Sequence, residues 1–270
     1  MYLHAIPTIN NSGSFHYTDY EDVTGSADNI VPFVNYNEGI YVGYKFYETA
    51  AAEGLIDYDE VVQYPFGYGL SYTSFDAEIA DTQDDGQKIT LTVNVKNTGD
   101  VAGKYVPQIY FNPPYTDGGI EKATANLIGY EKTELLEPGE SEAVTFEIAY
   151  EDMASYDSDK IKSADGAYVL EAGDYQINLC SDSHHVLDTY IATVDTDRIY
   201  DDAHEGKRSS DDQTATNHLD YAKGNVTYLS RAGHFANYEE SIAGPTDFTM
   251  PEEAKENYAS VVTFDASKYD

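Results

Sequence analysis

The sequence predicts a mainly β protein built around an antiparallel β-sandwich. Three segments alternate apolar and polar residues, which is the pattern of a half-buried strand: Ile89–Val95, Val144–Ile148 and Tyr175–Leu179. Turn-forming residues occur between the alternating segments, at Asn97–Asp100, Glu137–Glu140 and Glu171–Asp174. Short alternating strands with turns at this spacing are typical of two packed antiparallel sheets.

Composition divides the chain into three regions. Residues 1–75 are rich in Tyr and Gly, residues 76–194 carry the alternating pattern, and in residues 195–270 the periodicity fades. The first region contains a helical stretch, Glu38–Ala50, whose apolar stripe recurs at helical intervals: Ile40, Gly43, Tyr44 and Tyr47. No regular element of matching size precedes this stretch. We therefore expect this helical stretch to belong to a domain that is cut off upstream.

The last region is expected to be an irregular acidic linker with little core of its own. It contains a short amphipathic patch around Tyr228, Leu229 and Phe235, which we expect to dock on another part of the protein.

The chain of 270 residues is strongly acidic, with 49 Asp and Glu against 15 Lys and Arg and a formal net charge of −34. Such a surface repels phosphates, so the composition disfavours nucleic acids and anionic membranes as partners. No apolar stretch approaches the length of about 18 residues that spans a membrane. The first residues also lack the pattern of a signal peptide. A bacterial cytoplasmic location and an exported one both fit this sequence.

Several motifs occur in one order along the chain. Glu38–Tyr47 reads EGIYVGYKFY, and Val62–Phe75 reads VQYPFGYGLSYTSF. Four further segments follow them: Val95–Gly103, Val106–Tyr110, Leu127–Lys132 and Leu136–Ser141. In this order the motifs resemble family 3 glycoside hydrolases. In that family the Val62–Phe75 motif leads from an α/β sandwich domain into a fibronectin type III-like domain.

The resemblance covers residues 36–179 and implies an architecture. Residues 1–75 would be the C-terminal remnant of the α/β sandwich domain, and residues 76–194 a fibronectin type III-like (immunoglobulin-like) β-sandwich. Residues 195–270 would be the linker towards a catalytic barrel. The segment Val226–Arg231 is similar to a linker in family members with reversed domain order, in which the barrel follows the sandwich.

The implied partners are the barrel and the rest of the α/β sandwich domain of a parent enzyme. Such a parent hydrolyses O-glycosyl bonds in the manner of a β-glucosidase, and its substrate is a carbohydrate. In the family the nucleophile lies on the barrel and the acid/base in the α/β sandwich domain, outside the matched region. The resemblance therefore predicts no catalytic residue here, and the chain alone is expected to be inactive.

No cofactor-binding or metal-binding residue is predicted, and the substrate-binding residues are unknown. Glu38, beside Gly39, is the most suggestive carboxylate, and we expect it to favour the positive end of the predicted helix. Gly67 and Gly69 are expected to permit close backbone approach at a domain joint. A phosphate-binding loop would require glycine where Tyr72 stands.

Three further groups of candidate functional residues are expected to have no catalytic or metal-binding role. His184 and His185 are adjacent, so their side chains point apart, which predicts structural histidines. Cys180, the single cysteine, lacks a basic neighbour and is expected to be an inert thiol on the strand face opposite Ile177 and Leu179. Four acidic residues could contribute to a calcium site: Asp195, Asp197, Asp201 and Asp202. The segment that carries them lacks the Gly and the terminal Glu of a calcium-binding loop, so we expect their side chains to be solvated.

Two other functions also fit the sequence. The 26 tyrosines can stack on sugar rings, which would make the sandwich a stand-alone carbohydrate-binding module. A row of exposed tyrosines on one sheet face would support this hypothesis, and buried tyrosines would oppose it. A structural or adhesive sandwich is the other alternative, and it predicts a domain without an unpartnered helix before it. The helical stretch and the joint motif favour the glycoside hydrolase interpretation.

Overall fold

The structure is a computed structural model that describes residues 15–19, 32–204, 214–215, 217, 220, 223 and 226–259. Asn10 and Asn225 each stand two residues before a Ser or Thr, the pattern of an N-glycosylation sequon, and both lie outside the described residues. The chain forms two compact units. The sandwich unit comprises the described residues within 40–216 together with 230–236. The second unit comprises those within 15–39, 217–229 and 237–259.

Two antiparallel sheets form the sandwich, which confirms the mainly β prediction. The first sheet has the order β1–β2–β5, formed by β1 (Phe75–Asp84), β2 (Lys88–Asn97) and β5 (Ser141–Ala149). The second has the order β4–β3–β8–β9, formed by β3 (Gln108–Asn112), β4 (Asn126–Tyr130), β8 (Gly173–Cys180) and β9 (Val186–Val194).

A third small sheet was not visible in the sequence. Its order is β10–β7–β6, formed by β6 (Ser155–Tyr156), β7 (Tyr168–Leu170) and β10 (Arg198–Tyr200). A 3₁₀ helix, Tyr150–Met153, precedes β6. Strands of two or three residues are too short to show a period, so pattern reasoning does not detect them.

The core lies between the two large sheets. The apolar positions of the predicted alternation are buried on all three strands, as in Leu91 of β2, Phe146 of β5 and Ile177 of β8. Each such side chain contributes about 1.5–3 kcal/mol when it leaves water. The three predicted strands are therefore confirmed, and their periodicity follows from facing one shared core.

Cys180 differs from its predicted orientation. The strand register shifts between Leu179 and Cys180, so both residues are buried, and Cys180 is 1% exposed. Burial, followed by the negative charges of Asp182 and Glu48, raises the pKa of the Cys180 thiol to about 12. The thiol therefore stays protonated at neutral pH.

The first helix begins later than predicted. Helix α1 runs from Tyr44 to Ala52, because Gly43 adopts φ 58°, ψ −130°, a conformation that only glycine reaches easily. Ile40 lies outside the helix and is 45% exposed, so it does not belong to the buried stripe. The buried side chains are instead those of a five-residue run, Phe46–Ala50. A short helix α2 (Tyr58–Val61) follows.

Three short helices occur in the region expected to be irregular: α3 (Ala232–Phe235), α4 (Tyr238–Ile242) and α5 (Glu252–Ala259). In the second unit the rings of Phe15, Tyr17, Phe33 and Phe248 form an aromatic cluster. Among the residues that the structure describes, no helix is long and apolar enough to cross a membrane.

Candidate functional site: the junction of helix and sandwich

The junction loop, residues 63–74, connects α2 to β1 and is anchored at one glycine. Gly67 has a φ of +83°, and a Cβ atom there would lie 2.1 Å from Oε1 of Gln108. The Gln108 amide donates hydrogen bonds to the carbonyl oxygens of Gly67 (3.0 Å) and Ser181 (2.8 Å). Close approach therefore requires glycine at position 67, as predicted. Gly69 has open space around it and no positive φ, so the same prediction is wrong there.

The junction loop also exposes an unusual amount of apolar surface. Five large side chains within nine residues are exposed: Tyr64, Phe66, Tyr68, Leu70 and Tyr72. Leu70 is 88% exposed and Tyr72 fully exposed. Part of this surface borders a cleft of about 410 Å³, which Tyr105 and Asp182 also line. Exposed apolar surface concentrated in one loop marks an interaction surface more often than a solvated loop.

Helix α1 is joined to the sandwich through a buried carboxylate, Glu48. One oxygen, Oε1, accepts hydrogen bonds from the Tyr58 hydroxyl (2.6 Å) and the Ser183 hydroxyl (2.7 Å). The other, Oε2, lies 2.8 Å from Nδ1 of His184, whose ring stacks on Tyr58 with centroids 3.7 Å apart. Glu48 thus connects α1, α2 and the loop between β8 and β9 by three polar contacts.

Other contacts extend this attachment. Thr49 accepts a hydrogen bond from the backbone N–H of Thr124 (3.0 Å), and the Tyr44 hydroxyl accepts one from the N–H of Leu127 (2.9 Å). The Tyr44 ring stacks on Phe66 at 4.7 Å. The expectation of an unpartnered helix is therefore wrong, because α1 packs on the sandwich that follows it in sequence.

A second polar cluster fixes the docking segment, residues 230–236. The carboxylate of Glu121 accepts hydrogen bonds from the hydroxyls of Tyr41 and Ser230 and from the backbone N–H of Arg231 (3.0 Å). The Arg231 side chain donates to Glu53 (2.5 Å) and lies over the Tyr115 ring, 4.0 Å from its centroid. A buried guanidinium with an ion pair and a ring contact is a specific anchor.

The backbone of the docking segment is strained. Gly233, His234 and Phe235 all have φ near +60°, which costs about 1–2 kcal/mol for each residue that is not glycine. The Phe235 ring offsets this cost by packing on Tyr41 and Phe46, with centroids 5.0 and 6.0 Å apart. Phe235 is buried, so docking of this part of the predicted amphipathic patch is confirmed.

Glu38 does not lie at the start of a helix, so the prediction that it favours the positive end of helix α1 is wrong. Helix α1 begins six residues after Glu38, so the carboxylate does not cap that helix. Glu38 is buried, and its Oε2 atom has no hydrogen-bond partner among the described residues. Burial raises the pKa of the Glu38 carboxyl. The sequence alone does not predict the burial of Glu38, because the late start of helix α1 depends on the backbone dihedrals of Gly39 and Gly43.

The two histidines pair with different carboxylates. His184 contacts Glu48, whereas Nδ1 of His185 lies 2.8 Å from Asp182, and the two rings are nearly perpendicular. Each histidine thus has its own carboxylate partner within the sandwich unit. No group of three His, Cys, Asp or Glu residues suited to a metal ion occurs in the described part of the chain.

The acidic residues after β9 do not converge on one site. Asp197 pairs with Lys162 at 2.6 Å and accepts a hydrogen bond from the N–H of Ala172. Asp201 is buried, accepts a hydrogen bond from Ser163 (2.7 Å) and lies 2.7 Å from Nδ1 of His204. The expectation of a solvated loop is therefore wrong for Asp201.

Sequence reasoning missed both carboxylates that organise the junction. Glu48 is the one charged residue of the buried run Phe46–Ala50, and its place in that run was the available signal. Glu121 and Arg231 are far apart in sequence, so nothing local indicated their pairing. Both carboxylates are engaged in hydrogen bonds that hold elements together. The arrangement supports attachment and does not resemble an open pair of acid/base groups.

Comparison with known proteins identifies the domain. Residues 105–183 match the family model of the fibronectin type III-like domain. The chain carries this domain. β-Glucosidase A of Butyrivibrio fibrisolvens is 42% identical over 163 residues, covering 54% of this chain and 19% of that protein. The chain spans about a fifth of the length of the curated relatives it matches.

Solved structures agree with this assignment. β-Glucosidase 3B of Thermotoga neapolitana, in complex with α-D-glucose, has a TM-score of 0.53 and 36% identity, covering 65% of this chain and 22% of that one. The GH3 β-glucosidase of Bifidobacterium adolescentis has a TM-score of 0.51 and 30% identity, covering 61% and 22%. The predicted resemblance to family 3 glycoside hydrolases is confirmed.

Proposed function

We propose that this chain is a non-catalytic scaffold portion of a family 3 glycoside hydrolase. The observation that carries the proposal is the junction loop, which joins an anchored backbone to exposed Tyr64, Leu70 and Tyr72. Such a surface fits a domain that packs on the sandwich unit. The relatives are larger proteins named β-glucosidases, and they contain more chain than the part matched here.

In this proposal the parent enzyme hydrolyses O-glycosyl bonds of a carbohydrate. Residues 1–75 complete its α/β sandwich domain, residues 76–194 form the bracing sandwich, and residues 195–270 lead to its catalytic barrel. The docking segment is anchored to the sandwich unit by Glu121 and Glu53. The junction loop supplies the apolar surface on which the other domains rest.

The first test is hydrolysis of an aryl β-glucoside by the purified chain, with β-glucosidase A of Butyrivibrio fibrisolvens as the positive control. We expect no release of the aryl alcohol above the rate in buffer. Turnover that persists through repeated purification and disappears when the chain is unfolded would overturn the non-catalytic assignment.

The second test examines the junction loop as an interface. We expect the isolated chain to self-associate through this exposed loop. The double variant Leu70→Ser/Tyr72→Ser should lower that self-association in sedimentation velocity, because it removes the two most exposed apolar side chains of the loop. Leu135→Ser is the control, since Leu135 is exposed but lies outside the loop. Equal effects of the two changes would count against an interface at the loop.

A stand-alone carbohydrate-binding sandwich is not favoured. Tyr110, Tyr150 and Tyr175 of the sandwich unit are all buried and are among its largest core side chains. They do not form the exposed row on a sheet face that stacking on sugar rings would require.

A further inference from the structure

The sandwich unit includes one short piece of chain that comes from a distant part of the sequence. The docking segment, residues 230–236, belongs to this unit, whereas the described residues on either side of it, within 217–229 and 237–259, belong to the second unit. Its partners lie far away along the chain: Ser230 contacts Glu121 across 109 residues, and Arg231 contacts Glu53 across 178. The segment is therefore held as a bound peptide is held, by side chains that are not its neighbours in sequence.

The surface that receives this segment, which we call the docking groove, is formed by residues 41–53 and 115–122. Three aromatic and three acidic side chains of the groove contact the segment: Tyr41, Phe46, Glu53, Tyr115, Asp117 and Glu121. Such a surface is complementary to a polypeptide that carries both a cation and an aromatic ring. The docking segment supplies both, in Arg231 and Phe235.

Arg231 is recognised through the shape of its guanidinium group. Its Nε donates to the Glu53 carboxylate at 2.5 Å, and its Nη1 donates to the carbonyl oxygen of Lys122 at 3.0 Å. The central carbon of the group lies 4.0 Å from the centroid of the Tyr115 ring, and the residue is only 9% exposed. An ammonium group lacks this planar arrangement of donors, so the groove selects Arg over Lys at this position.

Phe235 and the backbone provide the second half of the recognition. The Phe235 ring meets the rings of Tyr41 and Phe46 edge to face, at angles of 78° and 65°. The backbone N–H of Gly233 donates to the Asp117 carboxylate at 2.8 Å, and the φ of Gly233 is +61°, which favours glycine. The groove therefore recognises Arg, Gly and Phe two residues apart from one another, a pattern that a short peptide carries by itself.

The charge of the groove restricts which peptides fit. With the segment in place the Glu53 side chain is 11% exposed, and its two oxygens contact Arg231 at 2.5 Å and His234 at 2.6 Å. A peptide without a cation would bury this carboxylate unpaired, which is costly. Without any segment, Glu53 would lose both partners and the aromatic rings of the groove would lose Phe235. An empty groove is thus a site for the same sequence from another source.

The docked backbone is held in a conformation that a free chain avoids. His234 and Phe235 both have φ near +60°, a region that residues other than glycine rarely adopt. Release of the segment removes this strain, which lowers the free energy needed to leave the groove. Contacts that are concentrated on two side chains and opposed by backbone strain favour exchange of the segment over permanent attachment.

We propose that the docking groove is a peptide-recognition site, and that it accepts residues 230–236 of a second copy of this chain in place of its own. Exchange of a segment between identical chains replaces each contact by the same contact, so the covalent link contributes only an effective concentration. The inference goes beyond the scaffold function and does not rest on it, because it uses contacts inside the sandwich unit alone.

Two complementary full-length variants test the exchange. Arg231→Ala/Phe235→Ala keeps the groove and disables the segment, whereas Glu53→Gln/Glu121→Gln keeps the segment and disables the groove. Both also carry the double serine substitution of the junction loop, so that association through that loop does not contribute. We expect each variant to be monomeric alone, and their mixture to form a 1:1 complex with a dissociation constant of about 10 µM in sedimentation velocity. No complex at about 100 µM, between variants that retain the circular dichroism of the wild type, would overturn the proposal.

A second measurement uses the wild-type chain, so it decides the question even where a variant does not fold. A synthetic peptide of residues 226–237 at about 1 mM should displace the chain's own segment, because the effective concentration of a tethered segment is also millimolar. Amide hydrogen exchange at Arg231 and Gly233 of the ¹⁵N-labelled chain should then accelerate about tenfold, since these N–H groups lose Glu121 and Asp117 as acceptors. The matched control is the same peptide with Arg231→Ala and Phe235→Ala, which should leave exchange unchanged. Equal exchange rates with the two peptides would overturn the proposal.

Discussion

The tyrosines of the sandwich core and those of the junction loop share one chemistry and have opposite environments. Tyr110 and Tyr175 are almost completely buried, whereas Tyr64 and Tyr72 are exposed. Each buried hydroxyl has an acceptor: that of Tyr110 donates to Gln108 at 2.9 Å, and that of Tyr175 to the carbonyl oxygen of Glu171 at 3.1 Å. The sandwich therefore completes its own core, while the described residues leave the loop's apolar surface open to solvent.

This difference separates stability from interaction. Residues that the sandwich covers contribute to the free energy of unfolding, whereas the exposed residues of the junction loop contribute little to it. A loop that exposes five large side chains without needing them for the stability of the isolated chain is suited to recognition. Paired substitutions can measure how sharp this division is.

The largest expected contrast is between two leucines. Leu91→Ala removes a fully buried side chain of β2 and should lower the free energy of unfolding by about 2–5 kcal/mol. Leu70→Ala, in the junction loop, should change it by less than about 0.5 kcal/mol. Urea denaturation followed by fluorescence measures both values. A large loss for Leu70→Ala would show that the loop belongs to the folded core.

The buried carboxylate of helix α1 should give the next effect. Glu48→Gln disturbs contacts to Tyr58, Ser183 and His184, so we expect a loss of about 1–3 kcal/mol. The exposed Glu78→Gln of β1 is the control and should be neutral. If both variants unfold at the wild-type urea concentration, the helix is not held by this cluster.

The two glycines of the junction loop give a third pair. Gly67→Ala should cost about 1–3 kcal/mol, because alanine is strained at φ +83° and its Cβ meets Gln108. Gly69→Ala should be neutral, since nothing lies within 4 Å of an added Cβ. Thermal unfolding of both variants tests this, and similar melting temperatures would refute a close approach at Gly67.

The smallest expected effect is on the stability of the chain at acidic pH, through the carboxylate of Glu53. Burial alone would raise the pKa of Glu53, but hydrogen bonds from Arg231 and His234 outweigh it, so the pKa lies below its ordinary value. The resulting stabilisation is complete above the unfolded-state pKa of about 4.3 and is lost as pH falls through the folded value. Melting temperatures between pH 7 and pH 3 should fall more steeply for the wild type than for Glu53→Gln. Parallel curves would show that Glu53 contributes no such linkage.

Much of the sandwich could be predicted because its signal is local. Strands β2, β5 and β8 alternate residue by residue against one core, so their positions follow from hydrophobic periodicity. The sequence indicated where the junction loop lies, but not which residues contact it. Gly67 was expected to allow close approach, yet its neighbour, Gln108, stands 41 residues away.

The sequence by itself determined the mainly β class, the acidic charge and the order of the family motifs. Only the tertiary structure decided that Glu48 and Glu121 are structural anchors, that Glu38 lies buried away from a helix end, and that Cys180 is covered despite its place in the alternation. The physical reason is the separation in sequence over which each interaction acts. Periodicity and backbone preference act between neighbours in sequence, whereas burial and hydrogen-bond partners depend on residues that the fold brings together from distant parts of the chain.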